Sequence, residues 1–200
     1  MQLAISTATA ACSVALLDGE NILAEEHRIV GRGHAECLIS MIAGLPNRGR
    51  ASMIWVDCGP GSFTGVRVGL AAARALALAW EVPLFGFSTL ALVAAGLRGA
   101  GEPVGIAIQG GHGELFLQDF ETDPLHPTTE LASLTPTEGA GFIRSRMVAG
   151  SGSEALIAAR GHGTAHDLLP RAADARWLPE TLRTLAPSPI YGRAPDAVPL

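Results

Sequence analysis

A chain of 200 residues, 48% hydrophobic and only 16% charged, can bury a real core as one domain or two small lobes. Its net charge is −5, and its 14 cationic side chains are all arginines scattered along the sequence, which leaves no basic stripe for a phosphate backbone and excludes unaided nucleic-acid binding as its main work. Arg67, Arg74 and Glu81 or Gly and Pro interrupt the longest apolar stretches, short of the roughly 20 residues that span a membrane.

The opening Met1-Gln-Leu-Ala-Ile5 lacks the basic start of a signal peptide and runs straight into a strand pattern, so the expectation is a cytoplasmic protein with no membrane partner. Leu3 to Ser6, Cys12 to Leu17 and Asn21 to Ile29 read as strands, the last two joined through Asp18-Gly19, a hairpin signal. A helix is expected from about 34 to 43, with Ile39, Ile42 and Ala43 at helical spacing and Leu45-Pro46 as its stop. Ala51 to Asp57 reads as a buried strand feeding the turn Gly59-Pro60-Gly61, from which a second helix runs to Trp80. Val82 to Phe87 is a further strand, and Ser88 caps a helix running to about Leu97.

Glycines and a proline in Arg98 to Pro103 break both periodicities, so residues 1–98 are expected to form one lobe and 99–200 a smaller one. That second lobe offers strands at Val104 to Ile108, Glu114 to Phe120, near Thr128 to Ala132 and at Met147 to Gly150, with a Pro-rich loop at Asp123 to Pro127. Thr135-Pro136 reads as a helix start, Leu178 to Leu185 as a final helix, and a Pro-rich tail follows from Pro187. Cys12, Cys37 and Cys58 are odd in number, widely spaced and set in apolar segments, which predicts reduced, packed thiols.

The helix after the Gly-Pro-Gly turn decides most of the reading. From Val66 to Trp80 only Arg67 and Arg74 are polar, whereas a helix with one wet face is polar over about half its circumference. It must be covered on more than one side. Either its own sheet and neighbours cover it, or its own sheet covers one face and a second protein the other, which small residues such as Gly69, Ala71, Ala73 and Ala75 would let approach closely. On the second alternative Val66, Gly69, Leu70 and Ala73 lie in or beside the interface. Arg67 and Arg74 share a side of the helix, as solvated edge residues or as partners of carboxylates across that interface.

The chemistry the turn could carry is limited. Gly59-Pro60-Gly61-Ser62-Phe63-Thr64-Gly65 sits between strand and helix, where phosphates bind, yet a P-loop needs a lysine and Pro60 removes one donor. Ser62 lacks the Gly-x-Ser-x-Gly frame of a nucleophile elbow and reads as a turn or cap residue. His162 and His166 have metal-ligand spacing only if helical, which Gly161 and Gly163 oppose, so they read as exposed loop histidines. Gln109-Gly-Gly-His-Gly-Glu114 and Gly150-Ser-Gly152 read as turns.

With these residues assembled, the chain resembles the TsaB (YeaZ) family of bacterial tRNA threonylcarbamoyladenosine biosynthesis proteins. The likeness rests on Gly59-Pro-Gly-Ser-Phe-Thr-Gly-Val-Arg-Val-Gly69, supported by Leu3 to Leu16, His34-Ala-Glu36, Val82-Pro83-Leu84, Gly113-Glu114-Leu115 and Pro189-Ile-Tyr-Gly-Arg193. It implies an α/β, two-lobed actin-like ATPase fold with ribonuclease H-like, mixed sheets, here with a shortened second lobe. It also implies a scaffold with no catalytic residue, metal or independently bound cofactor, nucleotide entering only within a complex. That scaffold would pair with a TsaD-like transferase and a TsaE-like ATPase, meet tRNA only indirectly, and form a homodimer when alone.

The family's interaction helices correspond to residues 34–43 and 64–80 here, so the resemblance adds His34, Glu36 and Leu38 to the interface candidates, and makes Gly59, Pro60, Gly61, Ser62 and Gly65 the structural turn. Two departures stand out: Ser6 replaces a usual aspartate, and Gln109-Gly110-Gly111 replaces Asp-Ala-Arg. The competing reading is an autonomous actin-like ATPase or a glycoprotease-like peptidase, which would need a magnesium carboxylate or metal histidines.

Overall fold

The computed structural model describes residues 1–192. The part of the expected Pro-rich tail from Arg193 onward lies outside the described residues.

The first lobe is built from β1 (Gln2–Ser6), β2 (Ala11–Asp18), β3 (Asn21–Ile29), α1 (His34–Gly44), β4 (Met53–Asp57), α2 (Phe63–Trp80), β5 (Leu84–Phe87) and α3 (Thr89–Ala95). Its sheet runs β3-β2-β1-β4-β5, with β1 to β3 antiparallel and β1, β4 and β5 parallel. Both faces of β1 are covered, which is why that strand reads as continuous apolar sequence. Leu3 and Ile5 point toward the core under α1 and α2, while Ala4 points to the opposite face, against α3.

The second lobe comprises β6 (Val104–Gln109), β7 (Leu115–Thr122), β8 (Leu125–Pro127), β9 (Ala132–Leu134), α4 (Pro136–Phe142), β10 (Met147–Ala149), α5 (Ser153–Arg160), β11 (Thr164–His166) and the short α6 (Glu180–Arg183). Its sheet runs β11-β10-β6-β7-β8, with β9 paired to β7. Two lobes of mixed sheet, the first with the 3-2-1-4-5 order of a ribonuclease H-like unit, make this an α/β protein of the actin-like ATPase fold. The second lobe keeps a six-stranded sheet, and its economy lies in β8 to β11, each of three residues.

The junction expected near residue 98 falls in the loop between α3 and β6, but the chain does not stay in its second lobe. A 3-10 turn at Ala172–Trp177 packs back on the first sheet, where Ala172 N–H donates to Ser13 Oγ at 2.9 Å. Farther on, Leu185 bridges Gly86, and Ile190 N–H donates to Cys58 O at 2.8 Å. One core therefore unites Ala15, Trp55 and Phe87, the buried α3, Ile106 and Phe120, and Ala172 to Leu178.

Several second-lobe expectations shift. The strand placed near Thr128 to Ala132 is β9, three residues later, and the Pro-rich loop contains β8. The helix expected over Leu178 to Leu185 shrinks to α6 because Pro179 starts it and Thr184 already leaves helical geometry. α5 was not expected, although Gly161 at φ 77 supplies its left-handed C-cap. His166 lies on β11, half-buried, while His162 stays exposed as expected. Thr135 and Glu138 form a complete capping box on α4.

Candidate docking face and interlobe cleft

The turn motif is explained first by packing. β4 delivers the chain to Gly59, whose φ of 91° favours glycine. Ser62 then caps α2, its Oγ accepting from Gly65 N–H at 3.2 Å. A Cβ at Gly61 or Gly65 would collide with the carbonyl oxygen of Ala8 or Thr7, and one at Gly69 with the Thr7 hydroxyl. Glycines spaced by four thus let α2 lie directly on the β1–β2 turn, where Thr7 Oγ1 donates to Gly65 O at 2.7 Å and Ser62 N–H to Ala8 O at 2.6 Å. Pro60 is buried in the same turn.

Beneath the turn lies Asp57, 1% exposed. Ser6 Oγ donates to its Oδ2 at 2.7 Å, and Thr89 Oγ1 and Gly59 N–H donate to its Oδ1 at 2.6 and 2.9 Å. Burial pushes its pKa up to about 6, against the opposing pull of those donors. The sequence reading passed over this residue; the available signal was a lone acidic side chain closing an apolar strand. Cys12 and Cys58 are free, buried thiols, and burial pushes both up to about 12.

The expected interface residues divide by helical phase. Val66, Gly69, Leu70 and Ala73 form the stripe of α2 that is buried against its own sheet, so the expectation that they meet a partner directly is corrected. At about 100° per residue these positions share one side, and the Gly69 approach to Thr7 fixes that side inward. On α1, His34 and Leu38 are likewise buried, which removes both from the docking candidates; His34 Nε2 donates to Thr9 O at 2.8 Å and ties the helix start to the β1–β2 turn. Glu36 is exposed.

Arg67 and Arg74 do share a side, and each spends a donor on the chain's own segment around residues 187–191. Arg74 Nη2 donates to Pro187 O at 2.7 Å. Arg67 Nη2 donates to Tyr191 Oη at 3.3 Å, and its guanidinium lies 3.5 Å over the Phe63 ring, which in turn is 6.2 Å from the Tyr191 ring.

What faces outward is a different set. Ala71, Ala75 and Leu78 are exposed on α2, Leu78 at 82%, while Ala35, Ile39 and Ala43 form an exposed stripe on α1, Ile39 at 54%. The two helices pack side by side on one face of the sheet, so the stripes add up to an apolar surface of mostly small side chains. α2 is also the one described helix long and apolar enough to cross a membrane, and its inward stripe on the sheet accounts for part of that composition.

A second feature is a cleft of about 940 Å³ between the lobes. The α2 turn at Gly61 to Phe63 and the β1–β2 turn line one side, and Gln109 to His112 with Ser151 the other. The two second-lobe glycine turns are thus brought together, Ser151 Oγ accepting from Gln109 N–H at 3.0 Å. His112 takes a φ of 58° there.

The model of the family described as TsaD, tRNA N6-adenosine threonylcarbamoyltransferase, matches residues 27–127. The tRNA threonylcarbamoyladenosine biosynthesis protein TsaB of Escherichia coli is 35% identical over 128 residues, 60% of this chain and 55% of that protein. TsaB of Haemophilus influenzae is 39% identical over 98 residues, 46% of this chain and 41% of that one, so the chain spans about half the length of the curated relatives it matches. Among solved structures, YeaZ from Pseudomonas aeruginosa superposes with a TM-score of 0.77 at 26% identity, over 95% of this chain and 98% of that one.

Proposed function

From the premise that this chain belongs to the TsaB (YeaZ) family, we propose that it is a non-catalytic scaffold of tRNA threonylcarbamoyladenosine formation, which docks a TsaD-like transferase through the outward stripes of α1 and α2. The observation that carries this reading is the exposed apolar surface of Ala35, Ile39 and Ala43 with Ala71, Ala75 and Leu78. Small side chains let a second pair of helices come close, and burying such a surface removes apolar area from water at about 25 cal/mol per Å². A TsaE-like ATPase joins the pair, and tRNA is held by the partners, since this chain is acidic overall.

The same surface, used twice about a two-fold axis, forms a homodimer that competes with the heterodimer when the transferase is scarce. The isolated chain binds no cofactor on this reading, and nucleotide is possible only within the assembled complex. The groups that an autonomous ATPase or peptidase would call on have structural duties here: Asp57 is enclosed by three donors, and Ser62 caps α2.

The test is reconstitution of tRNA modification from this chain, the transferase and the ATPase, with each omitted in turn. The reading expects activity only when this chain is present with the transferase, and neither ATP hydrolysis nor tRNA modification by this chain alone. Turnover by the isolated chain would overturn it.

A further inference from the structure

Arg98, Arg176 and Arg183 are far apart in sequence, yet the fold gathers them around one cavity of about 390 Å³, a size suited to a small ligand. It lies between the β2–β3 turn, the end of α3, the β7–β8 turn and the segment around Trp177, and it shares no lining residue with the interlobe cleft. None of its lining residues belongs to α1 or α2.

Indole rings position the guanidinium groups. Arg98 and Arg176 sit over Trp177 with Cζ at 4.4 and 4.5 Å from the ring centroid, and Arg183 sits over Trp55 at 4.8 Å. An arginine held against a ring keeps the N–H donors of its own plane available for an oxyanion. Arg176 is already committed, donating to Ala173 O at 2.6 Å and pairing with Asp174 at 3.7 Å. Among the described residues Arg98 and Arg183 make no ion pair and no side-chain hydrogen bond.

Two carboxylates, Glu20 and Asp123, line the same cavity, and neither pairs with an arginine among the described residues. Charges of both signs around one small space, unpaired with each other, suit a ligand that carries both complements. An oxyanion would take the donors of Arg98 and Arg183, while hydroxyl groups would donate to Glu20 and Asp123, as ribose hydroxyls do to acidic side chains. A bare anion would face the carboxylates at a cost. Two guanidiniums already cover Trp177, so the ring leaves little aromatic surface for a base.

We propose that this cavity binds a small hydroxylated organic phosphate of the sugar-phosphate class, with Arg98 and Arg183 on the phosphate and Glu20 and Asp123 on the hydroxyls. The site is separate from the docking face, and its occupancy does not depend on the partner.

The experiment titrates the full chain with ribose 5-phosphate, inorganic phosphate and a short single-stranded oligoribonucleotide, read by calorimetry and by tryptophan fluorescence. Saturable binding of ribose 5-phosphate is expected, at least about tenfold tighter than inorganic phosphate and weakened about tenfold or more by Arg98→Gln or Arg183→Gln. Glu20→Ala combined with Asp123→Ala should erase the preference over inorganic phosphate, and circular dichroism verifies that each variant folds. The proposal is overturned by absence of saturable binding at millimolar ligand, by binding indifferent to both arginine changes in folded protein, or by binding of the oligoribonucleotide alone.

Discussion

Ser6 Oγ donates to Asp57 Oδ2 at 2.7 Å, joining the adjacent ends of the parallel strands β1 and β4. The hydroxyl stands where the family resemblance would place an aspartate, so position 6 serves a buried carboxylate as donor. Ser6→Asp would set two carboxylates against each other in a dry site, and a loss of about 3 kcal/mol or more is expected in urea denaturation at pH 7. The loss should shrink as pH falls from 7 toward 6, because a second carboxylate raises the pair's first protonation above the value of about 6 that Asp57 has alone.

Asp57 itself makes stability depend on pH. Burial raises its folded pKa to about 6 from the ordinary 3.8 of an exposed aspartate, so the folded chain holds the proton more tightly than the unfolded chain. Stability contributed by this group is therefore fully present below about 4, falls as pH rises through about 6, and is level above. Asp57→Asn keeps an oxygen for Gly59 N–H and Thr89 Oγ1 and can donate to the rotated Ser6 hydroxyl, so it should flatten that slope. Urea denaturation between pH 4 and pH 7 measures it, and an unchanged slope would assign the dependence to other groups.

The glycines of α2 predict a steric penalty. Gly65→Ala puts a methyl group into the Thr7 carbonyl oxygen, and Gly69→Ala puts one into the Thr7 hydroxyl. Both should lower the melting temperature, with a cost of about 1–3 kcal/mol or more, larger at Gly65 because backbone yields less than a side chain. A charged residue at Gly69 would therefore report on folding before it reported on any partner.

These positions show where sequence reasoning ended. Periodicity located the first-lobe strands and α2, because strict apolar patterning and the Gly-Pro-Gly turn act locally. It also led to the expectation that α2 needs cover on two sides, but composition alone could not assign helical phase: Gly69 and Ala71 are both small, and only the Thr7 contact decides which turns inward. Arg67 and Arg74 find their partners in residues 187 and 191, more than a hundred positions away. The three-residue strands β8 and β11 carry too few residues for a period to register.

Arg74 also gives a test of the C-terminal segment. Arg74→Ala removes the donor to Pro187 O, with an expected cost of about 1 kcal/mol. Amide exchange at Ile190, whose N–H donates to Cys58 O, should accelerate while exchange in β1 and β4 stays unchanged. Equal protection at Ile190 would mean that the segment is anchored without Arg74.

The docking account is tested most directly at Leu78, which is 82% exposed on the outward stripe of α2. Leu78→Asp should change monomer stability by no more than about 0.5 kcal/mol, as expected for an exposed position. Size-exclusion chromatography with light scattering, on the wild type and the variant with a TsaD-like partner, then reads assembly. The account predicts a one-to-one complex for the wild type and a folded, unpaired monomer for Leu78→Asp; a variant that assembles with wild-type affinity would contradict it.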